Sequence, residues 1–202
     1  MGSKSIWDIC APLYERAMKS QRHIYEYMYT HISEAVRGKA VLEIATGPGM
    51  IAKHIASSAG SVTATDFSPA MIAVAKKGGF PENVTFTVAD AAALCFEDAS
   101  FDAVVIANAL HILPDAEKAL LEIGRVLKKD GMLIAPNFIV RKSGRKNAWQ
   151  KLLSLIGIQF SHEWTQAEYT AFLESHGWTV TKKDVIHGRI DLLYAECRRG
   201  ID

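Results

Sequence analysis

The segment Val41–Ala52, VLEIATGPGMIA, is the strongest indication of the fold in this sequence. Its first residues are mostly branched and apolar and predict a buried strand, while the apolar run after the glycines predicts the start of a helix. Between them, Gly47 and Gly49 supply a turn in which the backbone can take positive φ and approach a ligand closely. A strand, a glycine turn and a helix in this order begin a β-α unit of a parallel sheet.

The alternation of strands and helices continues along the chain. SVTATDF, NVTFTVAD, FDAVVIANAL and MLIAPNF predict further strands, because they are rich in Val, Ile, Phe and Thr and are bounded by turn residues. SPAMIAVAKKGG and DAEKALLEIGRVLKKDG predict helices, and two more are expected at 147–156 and 166–175. WTVTKKDVI and RIDLLYAECR predict a final pair of strands. The predicted fold class is α/β: a Rossmann-like, doubly wound, mostly parallel seven-stranded sheet with helices on both faces and an antiparallel last strand.

Length and composition indicate one ordinary globular domain. The chain has 202 residues, 49% hydrophobic and 22% charged residues, and a net charge of +1, so no basic surplus favours a nucleic-acid partner. Its cysteines, Cys10, Cys95 and Cys197, are too dispersed for a disulfide framework or a zinc site. No segment resembles a signal peptide or a membrane span. We therefore expect a cytoplasmic protein, either a monomer or a homodimer.

Three acids stand at the ends of three successive predicted strands: Glu43, Asp66 and Asp90. Ligands of open α/β sheets bind at the carboxyl ends of the strands, so these acids are expected to share one site. The glycine spacing together with Asp66 also fits a dinucleotide fingerprint, which leaves NAD open. Glu43, however, would repel a pyrophosphate beside the turn and attract the sulfonium and amino groups of S-adenosylmethionine. The charges therefore favour S-adenosylmethionine.

The same chemistry suggests a role for each side chain near these acids. The Asp66 carboxylate can accept hydrogen bonds from two ribose hydroxyls, and the Asp90 carboxylate can accept one from an adenine amino group. The backbone after Asp90, at Ala91, can donate to a ring nitrogen of adenine. Phe67 and Met71 could offer apolar surface to the adenine, although either could equally belong to the core.

The ordered motifs of the chain resemble those of the class I S-adenosylmethionine-dependent methyltransferases, in the broad ubiquinone-biosynthesis-like, type 11 group. The resemblance extends over about residues 7–138 and rests on VLEIATGPG, ATDFSPAMI, ADAAALCFEDASFDAVVIANALHIL and EIGRVLKKDGMLI. Ala45 stands where the first glycine of the first motif is common, and residues 129–131 stand where the family often has Pro-Gly-Gly.

This resemblance implies S-adenosyl-L-methionine as the cofactor and S-adenosyl-L-homocysteine as the product. The single domain is expected to comprise an N-terminal helical lid (1–37), a cofactor-binding core (38–140) and an acceptor-side insertion with the last strands (141–202). The lid is predicted from aromatic and apolar residues at three- and four-residue spacing, and packing of these aromatics on the core is the alternative. The residues expected around the cofactor by analogy are the turn residues Ala45, Thr46, Gly47 and Gly49, then Asn108 and Ala109 beside its methionine part, and Tyr14 near its carboxylate end.

Methyl transfer from a sulfonium is an in-line displacement, so the protein must mainly align the acceptor and exclude water. His111 follows the fourth predicted strand and is the candidate general base for a hydroxyl or amine acceptor; packing beside the cofactor is the alternative. The remaining histidines lack metal-binding spacing, so no metal is expected. Non-catalytic binding of S-adenosylmethionine and an NAD-dependent oxidoreductase are the alternative functions, although the latter lacks a Tyr-x-x-x-Lys pair.

The acceptor is the least determined part of the prediction. A small molecule, including a hydrophobic or quinone-like one, and a lipid head group both fit. Basic residues at 141–146 precede an amphipathic stretch at 149–156, which is compatible with peripheral contact with an anionic membrane. A solvated loop before a packed helix is the alternative interpretation of the same residues.

Overall fold

The computed structural model describes residues 21–141 and 162–200. In order along these residues, the helices are α1 (Arg22–Ala35), α2 (Met50–Ile55), α3 (Pro69–Ala75), α4 (Ala116–Val126) and α5 (Gln166–Ser175). The strands are β1 (Ala40–Ile44), β2 (Ser61–Asp66), β3 (Val84–Val88), β4 (Phe101–Ile106), β5 (Leu127–Ile134), β6 (Asn137–Ile139), β7 (Trp178–Ile186) and β8 (Asp191–Arg199).

The strands form one mixed sheet in the order β3-β2-β1-β4-β5-β8-β6, with β7 also paired to β8. Strands β1 to β5 are parallel to one another, and β8 is antiparallel to β5, β6 and β7. The described part of the sheet has eight strands instead of the predicted seven, because Pro136 lacks a backbone N–H and separates β6 from β5 along the same edge of β8. The predicted α/β class with an antiparallel last strand is confirmed.

Helices cover both faces of the sheet. On one face, α1, α2 and α3 pack against the strands, with Ile24, Met28 and Ile32 of α1 fully buried at a four-residue spacing. On the other face, α4 and α5 pack through residues such as Leu120 and Tyr169. The predicted lid therefore includes a helix that packs as part of the core. Residues 1–20 lie outside the described residues, so the lid stays a prediction.

The helix predicted to extend to residue 131 ends earlier, at Val126. The carbonyls of Arg125 and Val126 accept hydrogen bonds from Ala99 and Ser100, before β4, instead of from the next turn of a helix. Leu127 is already extended and pairs with Phe101 of β4. The sequence Lys-Lys-Asp-Gly therefore belongs to an irregular start of β5, a correction caused by tertiary hydrogen bonds that override helix propensity.

None of the described helices has the length and the apolar composition needed to cross a bilayer. The predicted helix at 147–156, and the basic residues Lys142, Arg145 and Lys146 before it, lie outside the described residues. Arg141 is described, and its guanidinium makes two 2.9 Å hydrogen bonds to the buried Asp191 carboxylate. Its charge is thus engaged within the fold, and contact with a membrane stays a prediction.

Candidate active site

The glycine turn lies where β1 ends and α2 begins. Its backbone takes left-handed conformations at Ala45 (φ 56°), Gly47 (φ 56°) and Gly49 (φ 79°). The Thr46 amide donates to the Thr65 carbonyl at 2.8 Å, which continues the pairing of β1 and β2 into the turn. The predicted strand, turn and helix are therefore present, and three of the five loop residues adopt conformations that favour glycine.

The two glycines of the turn have different neighbours. A Cβ on Gly49 would lie 2.7 Å from the Phe86 ring and 3.1 Å from the Ala75 side chain, so glycine is required there for α2 to pack closely. A Cβ on Gly47 would meet nothing within 4 Å. Gly49 is thus explained by internal packing, whereas Gly47 borders open space and is the glycine that a ligand can approach.

Ala45 is strained in the position that the family commonly gives to glycine. A left-handed conformation costs a non-glycine residue about 1–2 kcal/mol. Substitution by glycine removes this cost, but part of the gain is lost because an unfolded chain with glycine has more conformational entropy. We expect Ala45→Gly to raise the free energy of unfolding by about 0.5–1 kcal/mol in urea denaturation. Ala99→Gly is the matched control, because Ala99 (φ 51°) has the same strain at the opposite end of the sheet. A gain at Ala99 without a gain at Ala45 would contradict the explanation.

Asp66 ends β2 and connects the glycine turn to α3. Its Oδ2 accepts from the Gly47 amide at 2.8 Å, and its Oδ1 accepts from the Ser68 amide at 2.9 Å. Ser68 in turn caps α3 by accepting from the Met71 amide. These hydrogen bonds fix the orientation of the Asp66 carboxylate at the edge of the sheet. This bracing role was not predicted from the sequence, although the spacing Asp-x-Ser before a helix is a signal for it.

Glu43 lies beneath the turn with 2% of its surface exposed. Its Oε2 accepts from the Thr46 hydroxyl at 2.7 Å. Burial raises the pKa of Glu43 to about 8, and the charge of Asp66 also raises it. Hydrogen bonds from the Thr46 hydroxyl and the Ala52 backbone oppose this rise. Glu43 is therefore a buried acid whose ionised form a nearby cation would stabilise, and Thr46 lies between it and the turn.

The other residues predicted to surround adenine have mixed surroundings. Phe67 is 68% exposed directly after Asp66, an unusual exposure for an aromatic ring. Met71 and Ala91 are buried, which places the Met71 side chain in the protein interior. Asp90 is exposed, and its Oδ1 accepts from the Ala92 amide at 2.9 Å. Phe67 and Asp90 thus remain accessible to a ligand at this edge.

A second group of predicted residues follows β4. The backbone N–H of Asn108 donates to the Pro136 carbonyl at 2.8 Å, and this hydrogen bond joins the loops after β4 and β5. The Asn108 Oδ1 atom is buried and has no hydrogen-bond partner in the part of the chain that the structure describes. Such an acceptor is costly unless a donor reaches it. Ala109 is buried beside it, and Tyr14 lies outside the described residues.

His111 is 5% exposed, and burial lowers its pKa to about 4. Its Nδ1 lies 2.8 Å from Oδ1 of Asn137, the first residue of β6. Asn137 was not among the residues predicted from the sequence, although a polar residue just beyond the fifth strand shares the carboxyl edge of the sheet with the other site residues. Sequence order alone could not show that it meets His111.

The residues of this edge fit S-adenosylmethionine. The open space at Gly47, the exposed Phe67 ring and the Asp66 carboxylate suit an adenosine, and the unsatisfied Asn108 oxygen and the buried Glu43 suit a cationic amino acid part. Among the described residues, no cluster of His, Cys, Asp or Glu could hold a metal ion.

Comparisons with known proteins agree with this chemistry. Residues 42–135 match the family described as Methyltransferase domain. The demethylmenaquinone methyltransferase of Renibacterium salmoninarum is 39% identical over 104 residues, which cover 52% of this chain and 43% of that protein. The ubiquinone/menaquinone biosynthesis C-methyltransferase UbiE of Rhizobium etli is 40% identical over 108 residues, covering 50% and 42%. The match thus spans less than half the length of these relatives.

A solved structure extends the similarity to nearly the whole chain. The structure named as the DhpI complex with SAH has a TM-score of 0.77 and 25% identity, and the match covers 97% of this chain and 94% of that one. The motifs, the sheet order and these matches agree on one assignment. Over residues 42–135 the chain matches the methyltransferase family, and its sheet and motifs resemble those of the class I S-adenosylmethionine-dependent methyltransferases.

Proposed function

We propose that this protein transfers the methyl group of S-adenosylmethionine to a small, hydroxyl-bearing aromatic acceptor of the quinol type and releases S-adenosylhomocysteine. The observation that carries the proposal is the grouping of Glu43, Asp66 and the Gly47 turn at one edge of the sheet. This grouping combines the Asp66 carboxylate, and a buried acid at Glu43 that a bound cation would help to ionise, with an open glycine, which suits a cationic nucleoside better than a pyrophosphate. The quinol-type acceptor rests on the names of the two relatives, and a lipid head group is the alternative.

Each part of the cofactor has a proposed partner. Asp66 would accept the ribose hydroxyls, Phe67 would cover the adenine, and Asp90 with the Ala91 backbone would bind the adenine edge. Asn108 would accept from the amino group of the methionine part, with Ala109 packed beside it and Glu43 acting through Thr46. These assignments are supported by the exposure of Phe67 and by the unsatisfied Asn108 oxygen.

The acceptor would be oriented at the ends of β4 and β5. S-adenosylmethionine supplies an electrophilic methyl group when bound, so this chain must place the nucleophile in line with it and exclude water. His111 stays uncharged near neutral pH because burial lowers its pKa to about 4. It would therefore accept a hydrogen bond from the acceptor hydroxyl and draw away its proton as the methyl group is transferred.

Calorimetric titration with S-adenosylhomocysteine, beside NAD, tests the cofactor. We expect micromolar binding of S-adenosylhomocysteine with no heat from NAD, and Gly47→Val should weaken that binding at least tenfold because its side chain enters the open space at the turn. Gly78→Val is the matched control, since Gly78 (φ +76°) also has positive φ and no atom within 4 Å of its Cβ. Binding of NAD instead, or equal affinity in Gly47→Val, would contradict the cofactor assignment.

Turnover tests the acceptor. Incubation with methyl-labelled S-adenosylmethionine and a panel of quinols, phenols and phospholipids should give labelled product from the hydroxyl-bearing aromatic compounds. Labelling of phospholipids alone would replace the quinol-type acceptor with a lipid head group. Tight cofactor binding without product from any compound would favour the non-catalytic alternative.

A further inference from the structure

The pair formed by His111 and Asn137 has a defined hydrogen-bond direction. Both residues are buried, with Asn137 fully so, and they approach from the ends of neighbouring strands: His111 follows β4, and Asn137 begins β6 directly after β5. The 2.8 Å contact joins the imidazole Nδ1 to the amide Oδ1. The Phe138 ring meets the imidazole edge-on at 6.2 Å between centroids, which further restricts its rotation.

The orientation of the Asn137 side-chain amide determines which ring nitrogen of His111 carries the proton. Its Nδ2 donates to the Phe138 carbonyl at 3.1 Å, so the amide cannot be turned over without placing its oxygen against another oxygen. The Oδ1 atom therefore faces His111, and an amide oxygen can only accept. It follows that Nδ1 of His111 carries the proton and that Nε2 of the neutral ring is an acceptor.

We propose that Asn137 is a positioning residue, which holds His111 as the neutral Nδ1–H tautomer so that Nε2 can accept a hydrogen bond from the hydroxyl of the methyl acceptor. The role of the tautomer in turnover rests on the proposed function, whereas the tautomer itself does not. The neutral partner matters, because an amide fixes the ring while stabilising the imidazolium less than a carboxylate would. The hydrogen bond with Asn137 raises the pKa of His111, but burial lowers it by more.

The surroundings of His111 favour the same uncharged state. Burial lowers the pKa of His111 most, and the charge of His162 lowers it further. The His162 backbone amide also donates to the His111 carbonyl at 3.1 Å, so the two residues are held together. The orienting hydrogen bond, which His111 Nδ1 donates to the Asn137 oxygen, is therefore made by a ring that stays neutral at physiological pH. In proton-transfer enzymes, a partner that fixes the tautomer of a histidine contributes strongly to the rate.

Long-range proton–nitrogen NMR of histidine-labelled protein tests the tautomer directly and needs no acceptor. In the wild type, the His111 resonances, identified by their loss in His111→Gln, should show a protonated Nδ1 and an unprotonated Nε2 from about pH 5.5 to 8.5. Asn137→Ser should weaken this preference, and Asn137→Ala should populate the Nε2–H form. His176, whose Nδ1 lies 2.7 Å from the Phe172 carbonyl, is the internal reference that should not change. An unprotonated Nδ1 in the wild type, or an unchanged tautomer in Asn137→Ala, would overturn the proposal.

Turnover then links the tautomer to the reaction. Asn137→Ala should lower kcat at least tenfold while the affinity for S-adenosylhomocysteine stays within twofold, and Asn137→Ser should recover part of the loss. Asn137→Asp should raise the pKa of His111, so kcat/KM should fall in mild acid where the wild type stays active. Full turnover in a variant whose tautomer has changed would overturn the catalytic link. Failure of the wild type to bind S-adenosylhomocysteine would reject the proposed function instead, whatever the tautomer.

Discussion

Asp66→Ala is expected to weaken S-adenosylhomocysteine binding by at least tenfold, because the substitution removes a ribose acceptor and also releases the glycine turn. The carboxylate is placed to accept the ribose hydroxyls, and each charge-assisted hydrogen bond contributes about 1.5–3 kcal/mol. It also accepts from the amides of Gly47 and Ser68, so the substitution releases the turn that would contact the cofactor. Calorimetry on the folded variant, with its circular dichroism spectrum as a check of folding, measures the change.

Asp102→Ala is the matched control for this experiment. Asp102 accepts from the Ala40 amide at 2.8 Å and from Lys128 at 2.7 Å, at the amino-terminal end of the sheet, far from the glycine turn. Asp102→Ala should lower the free energy of unfolding, because the variant loses the hydrogen bonds that Ala40 and Lys128 donate to this carboxylate. Its cofactor affinity should stay within twofold of the wild type. An Asp66 variant that folds and binds with wild-type affinity would show that the ribose lies elsewhere.

The stability of the free protein is expected to fall by about 2 kcal/mol between pH 6 and pH 8 because of Glu43. Burial raises the pKa of Glu43 to about 8, well above its ordinary value of 4.5, so the folded protein holds a proton that the unfolded chain releases. This stabilisation is complete below about pH 4.5 and is lost as the pH rises through 8. Glu43→Gln carries no titrating proton and should remove this part of the slope.

Urea denaturation at pH 6, 7 and 8 measures the effect. Glu122→Gln is the control, because hydrogen bonds from Arg125 and from the Leu94 amide hold the pKa of Glu122 below its usual range. Ionised Glu122 stabilises the folded protein above the pKa that this group has in the unfolded chain, and this stabilisation is lost only in acid. Glu122→Gln should therefore lower the free energy of unfolding equally at all three pH values. A pH slope in Glu43→Gln as steep as in the wild type would contradict the burial argument.

The sequence alone predicted the sheet, the cofactor edge and the family, because these depend on local patterns. Alternating apolar runs specify parallel strands, and the carboxyl ends of parallel strands meet at one edge whatever the details of packing. For that reason the sequence alone could group Glu43, Asp66 and Asp90 at one edge. The extension of the predicted helix past Val126 was wrong, since hydrogen bonds from Ala99 and Ser100, distant in sequence, end that helix.

The tertiary structure decided the features that depend on contacts between distant segments. It distinguished Gly47 from Gly49, because only Gly49 faces the Phe86 ring. It showed Asp66 bracing the glycine turn as well as bordering the site, and it buried Glu43 deeply enough to shift its pKa. It also joined His111 to Asn137 across 26 residues of sequence. Local propensity sets strands and turns, but burial and the direction of a hydrogen bond are set only when the whole chain has packed.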